Sequence, residues 1–184
     1  AFASTILNLK KAAILTDGAT LLSEEPKTTN IRLEDKVPAN SSLKLVIGKT
    51  ISFKDVSDTI IDMETITTKY SRRHRDNDDS NQRFDIEWKL FCYQNETYHS
   101  LLQRYDEQQW KQDYNAEIYF RTGKNKIYFW HRYLNPKTLS SEVDYIWMMD
   151  GDIQIRHMAW YCFWNIVAKF QPSIFAPALM TNMD

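Results

Sequence analysis

Asp150 and Asp152 stand on either side of Gly151, at the end of the apolar run Val143-Asp144-Tyr145-Ile146-Trp147-Met148-Met149. Carboxylates are hard oxygen ligands. Two of them with a glycine between, which lets the backbone turn tightly, can converge on one divalent cation and leave room for phosphate oxygens. Asp and Gly are also common turn residues, so the tripeptide alone also fits a strand-ending turn. Other metal chemistries do not fit the spelling. An EF-hand loop starting at Asp150 needs glycine where Ile155 stands and glutamate where Tyr161 stands. Zinc requires clustered Cys and His, but Cys92 and Cys162 are far apart and His131 and His157 have no ligand spacing.

The elements that position this tripeptide follow from hydrophobic periodicity. The run 143–149, apolar at nearly every position, predicts a strand buried on both faces of a parallel sheet. Asp150 then lies at its carboxyl end, where open α/β sheets bind ligands. Upstream, 42–49 reads as a strand followed by Gly48 as a turn residue, and Phe53, Val56, Ile60, Met63, Ile66 and Tyr70 recur at helical spacing through 52–70. A polar loop over 71–82 leads to a strand over 84–93, a helix over 97–110 and a short strand over 116–120. A helix over 124–134 ends at Asn135-Pro136; Ile127 and Trp130 are expected to face the core, with His131 in a structural role. A helix over 157–170 and a strand over 173–178 complete the series. This alternation predicts an α/β fold: a mostly parallel open sheet with helices on both faces. Residues 1–43 keep no lasting period and read as an irregular N-terminal extension to a domain over 44–184.

Composition narrows the partners. The net charge of −1 gives no broad electrostatic attraction for nucleic acid or anionic membrane. The basic cluster Arg72-Arg73-His74-Arg75 is followed at once by Asp76, Asp78 and Asp79 and reads as a self-compensating loop. No apolar stretch is long enough to span a membrane, and the first residues lack the basic region of a signal peptide, so the chain reads as a segment of a longer protein. Both cysteines lie in apolar surroundings and are expected as buried free thiols. The sequons Asn40-Ser41-Ser42 and Asn95-Glu96-Thr97 lean toward a secretory route. Leu45-Val46-Ile47-Gly48-Lys49-Thr50 has only the tail of a P-loop, and no Gly-rich dinucleotide fingerprint follows any strand.

From WKLFCY (88–93) through KIYFWHRYLNP (126–136) and VDYIWMMDGDI (143–153) to FAPAL (175–179), order and spacing resemble a glycosyltransferase-like family of unknown function. Its plant members are described as lysine-ketoglutarate reductase trans-splicing related. The resemblance covers about 44–180. It implies a nucleotide-diphospho-sugar transferase-like fold in which Asp150 and Asp152 hold Mn²⁺ or Mg²⁺ against the diphosphate of a nucleotide-sugar donor. A diphosphate leaving group needs its developing charge neutralised, and a carboxylate-held cation supplies that. Gly151 stands where plant relatives often carry an acidic residue, which lowers the local charge. Such enzymes continue into acceptor-binding elements, so the resemblance implies a domain truncated at its C-terminus and a secretory location, the Golgi lumen. The alternative from another class is a non-catalytic carbohydrate- or nucleotide-binding module, and the blandest is a structural domain in which Asp-Gly-Asp is only a turn.

Overall fold

A computed structural model describes residues 4–8, 42–70, 83–135, 137–172 and 174–175. The chain alternates strand and helix: β1 (Ser4–Asn8), β2 (Ser42–Ile51), α1 (Val56–Tyr70), β3 (Arg83–Cys92), α2 (Asn95–Arg104), α3 (Glu107–Tyr114), β4 (Ala116–Phe120), α4 (Lys126–Tyr133), β5 (Tyr145–Met149), α5 (Trp160–Phe170) and β6 (Ile174–Phe175). The strands form one sheet in the order β4-β3-β2-β5-β1-β6. β2 runs parallel to both β3 and β5, and β4 parallel to β3, so the mostly parallel α/β sheet expected from the alternation is present. From β2 the chain winds outward through β3 to β4, then returns to the opposite side of β2 as β5. The order therefore reverses between β2 and β5, which opens a crevice at their carboxyl ends.

Successive strand residues point to opposite faces, and both faces are covered. On one face Leu45, Ile47, Trp88, Leu90, Tyr145 and Trp147 pack with Val56, Met63 and Ile66 of α1, Leu101 of α2, Trp110 of α3 and Trp160, Phe163 and Trp164 of α5. On the other, Val46, Phe91 and Ile146 meet Phe129 and Leu134 from α4 and the turn after it. Each fully buried side chain of this kind stabilises the fold by about 1.5–3 kcal/mol relative to exposure. Among the described residues, helices thus lie on both faces, four against one.

Several expectations need correction. Ser4–Asn8 falls in the stretch 1–43 read as irregular, yet it is a strand: it pairs antiparallel with β5, with Ile6 fully buried opposite Trp147. So short an element takes its conformation from long-range pairing, which leaves no local period. Gly48 is not a turn residue but lies inside β2; a Cβ there would sit 2.3 Å from Leu134 Cδ1, so the missing side chain lets Leu134 approach the sheet. The single helix expected over 97–110 is two, because Asp106 caps a new one: its carboxylate accepts from Gln109 N at 2.8 Å while Gln109 Oε1 accepts from Asp106 N. In α4 it is Phe129 that is buried, stacked on Phe91 at 5.2 Å between ring centroids, while Ile127 and His131 are exposed and Trp130 is half-buried. Cys92 is buried as expected, but Cys162 is exposed. The strand expected over 173–178 is seen as β6 alone. Most of FAPAL and the basic cluster at 72–75 lie outside the described residues.

Candidate functional site

The carboxyl ends of β2, β3, β4 and β5 converge on one open cleft of about 530 Å³, within the size range of small-molecule sites. Asp150, Gly151 and Asp152 form its wall after β5, where the sequence placed them. Thr50, Ser52, Lys54 and Asp55 come from the end of β2 and the turn into α1; Tyr93 follows β3; Lys124, Asn125 and Lys126 follow β4. Sequence reading singled out none of these other residues. The usable signal was that each stands just past a strand end, and in a parallel sheet all such positions meet at one edge.

The turn after β2 is built by its own polar residues. Asp55 Oδ2 accepts from Ser52 N at 3.1 Å and also from the Ser52 hydroxyl, which sets the single 3₁₀ turn that leads into α1. Gly151 packs against this turn: an added Cβ would lie 2.5 Å from the Thr50 carbonyl oxygen and 2.6 Å from Asp55 Oδ2. The glycine between the carboxylates is thus needed for close approach to β2, and the Asp-Gly-Asp backbone sits directly on the β2 side of the crevice.

The segment after Asp152 is tied down by a buried charge network. Lys49, on β2, and Asp62, on α1, are fully buried, with Lys49 Nζ 3.3 Å from Asp62 Oδ2 and donating to the Ile153 carbonyl at 2.8 Å. Asp62 also accepts from the backbone N–H groups of Ile155 at 3.2 Å and Arg156 at 3.1 Å, and from Arg156 Nη1 at 3.2 Å. Arg156 reaches on to Asp58 at 2.9 Å, and Gln154 Nε2 donates to Asp58 at 2.8 Å. Burial pushes the Lys49 ammonium below its ordinary value, against the pull of Asp62, Asp55 and Asp58. Sheet and first helix together therefore grip residues 153–156 and fix the loop carrying both cleft carboxylates.

Asp150 is half-buried and held by Lys126, whose Nζ lies 2.8 Å from Oδ1 and 2.9 Å from Oδ2. Asp152 is exposed at the mouth. Among the described residues, Lys126 is the only one of the three cleft lysines in an ion pair with a carboxylate, and no three His, Cys, Asp or Glu side chains form a metal-holding group. Two carboxylates at an open cleft are a fitting donor set for Mg²⁺ or Mn²⁺, which are commonly bound through one or two carboxylates and completed by substrate phosphates and water. Lysines lining the same cleft suit those phosphates. The chain matches no protein-family model, no curated protein and no solved structure.

Proposed function

We propose that this cleft takes the diphosphate of a nucleotide-sugar donor, and that the chain is the donor-binding part of a metal-dependent glycosyltransferase-like protein. The observation that carries this reading is the place of Asp150-Gly151-Asp152: at the carboxyl end of β5, beside the strand-order reversal, with Lys54, Lys124 and Lys126 on the same cleft. The glycosyltransferase resemblance of 126–153 supports it. Asp150 and Asp152 would hold Mn²⁺ or Mg²⁺, which when bound supplies neutralisation of the charge that develops on a departing diphosphate. Lys54, from the turn after β2, and Lys124, from the loop after β4, would orient the phosphates, and Tyr93 offers a ring against which the bound molecule can pack. The two sequons add a lean toward the secretory pathway, with Asn95 exposed at the start of α2.

A second reading, a non-catalytic nucleotide- or carbohydrate-binding module, draws on the Lys126–Asp150 pair, since an ammonium already neutralises one carboxylate without metal. Calorimetry with UDP and GDP, with and without Mn²⁺, tests both. The glycosyltransferase reading expects metal-dependent binding that raises apparent stability, by about 2.7 kcal/mol at a hundredfold excess of ligand over Kd. Asp152→Ala and Asp152→Asn should abolish the metal-dependent part and leave the fold intact, because an exposed side chain contributes little to the core. Metal-independent binding unchanged in both variants favours the module. No binding under any condition leaves Asp-Gly-Asp as a turn.

A further inference from the structure

The Lys126–Asp150 contact has the geometry of a site occupied by its own counter-ion. The ammonium lies almost equally far from both carboxylate oxygens, at 2.8 and 2.9 Å, so it covers the edge through which Asp150 would hold a cation. In this same position Nζ is 5.4 Å from the centre of the Trp130 ring, within cation–π range, so the ring flanks the ammonium while it is paired with Asp150. Lys126 is also the first residue of α4. A positive charge at a helix N-terminus opposes the helix dipole, and a nearby anion relieves that opposition. Asp150 is that anion now; a phosphate in the cleft would serve as well. The pair is only partly buried, with 38% and 28% of the two side chains exposed, so exchange needs no opening of the core.

We propose that Lys126 is an exchangeable counter-ion: a divalent cation arriving with the donor displaces its ammonium from Asp150, and the freed Lys126 swings to the donor's diphosphate. This rests on the donor-binding reading above. The exchange conserves charge pairing at each step. Asp150 trades one cation for another, and the released ammonium gains an anion delivered together with the metal. Without the anion, metal must compete with a tethered lysine for the same oxygens, so Mn²⁺ alone binds weakly and Mn²⁺ with nucleotide binds well. Lys126 thereby couples metal binding to donor binding.

The test is calorimetric titration of the whole chain with Mn²⁺ alone, and then with UDP and GDP at saturating Mn²⁺, on wild type, Lys126→Met and Lys126→Arg. Lys126→Met removes the competitor and the phosphate contact together. It should bind Mn²⁺ alone several-fold more tightly yet bind the nucleotide about tenfold more weakly, the size expected for one charge-assisted hydrogen bond. Lys126→Arg keeps a cation on Asp150 and should show no gain in Mn²⁺ affinity. Damage to the loop alone would weaken both titrations together, so the opposite signs carry the argument. If wild type binds Mn²⁺ and nucleotide but Lys126→Met binds Mn²⁺ no more tightly, the exchange is wrong and the donor-binding reading stands. If neither wild type nor Lys126→Met binds Mn²⁺, with or without nucleotide, the donor-binding reading fails and the exchange with it.

Discussion

Asp62→Asn removes one charge at nearly constant shape from the network under the cleft loop, and its cost can be worked out contact by contact. Asp62 is fully buried and accepts four hydrogen bonds, from Lys49 Nζ, the N–H groups of Ile155 and Arg156, and Arg156 Nη1, split two to each oxygen. Asparagine keeps one oxygen and puts an NH₂ against two donors. It also leaves Lys49, fully buried, with the Ile153 carbonyl as its remaining close partner. Breaking a buried ion pair from one side costs about 3–5 kcal/mol, most of it the uncompensated charge left behind. Lys49→Met should cost less, because Asp62 keeps Arg156 and both backbone donors.

The pH dependence separates this cause from ordinary packing damage. Lys49 is held below its usual 10.5 by burial, against the opposing pull of Asp62. Without that carboxylate its folded-state value falls further, while the unfolded value stays near 10.5. Between those values the unfolded chain binds more protons than the folded one, so stability rises with pH there. The Asp62→Asn deficit should therefore be largest at pH 7 and shrink by pH 9.5, as Lys49 discharges inside the fold. Urea unfolding followed by tryptophan fluorescence at both pH values measures this. A loss under about 1 kcal/mol at pH 7, well short of the range for a broken buried pair, or a deficit that does not change with pH, would refute the assignment of the cost to Lys49.

Two further variants test other parts of the structure. Gly151→Ala forces a Cβ against a strand carbonyl at 2.5 Å and Asp55 at 2.6 Å, and the strand carbonyl cannot yield as a side chain could; overpacking of this kind costs about 1–3 kcal/mol. Tm should fall by roughly 2–4 °C per kcal/mol, and an unchanged melting curve would mean the loop does not pack on β2. At Glu117, burial alone would raise the carboxyl, but hydrogen bonds from Lys111, Tyr119 and Lys89 bring it from 4.5 down to about 2. A depressed folded-state value gives stability that is present above about 4.5 and lost as pH falls toward 2. Glu117→Gln should flatten the acid limb of the stability profile in that interval, and an identical limb would show that the contact does not hold in solution.

What the sequence disclosed and what it hid divide along the range of the interactions. β3, β4 and β5 were legible because each is a run whose side chains meet the sheet's two faces locally, and Asp150 and Asp152 were legible because they directly end one such run. The capping signal Asp106 to Gln109 was present in the spelling and was overridden by a helical period that happened to continue across it. In α4, four bulky residues in a row left the buried face undetermined, and the choice of Phe129 over Ile127 was made by Phe91 on a strand far back in the chain. Lys49 looked like an ordinary polar strand end, since nothing in Lys-Thr tells that Asp62, Ile153 and Arg156 will close over it. The same limit applies to the cleft. Lys54 follows β2 while Lys124 and Lys126 follow β4, and only the parallel sheet, which turns every strand's carboxyl end to one edge, brings them to the two aspartates. Topology is thus the link between sequence and site: once strands and helices alternate in a parallel sheet, the residues just past each strand end form a short set that meets at one edge and makes the cleft.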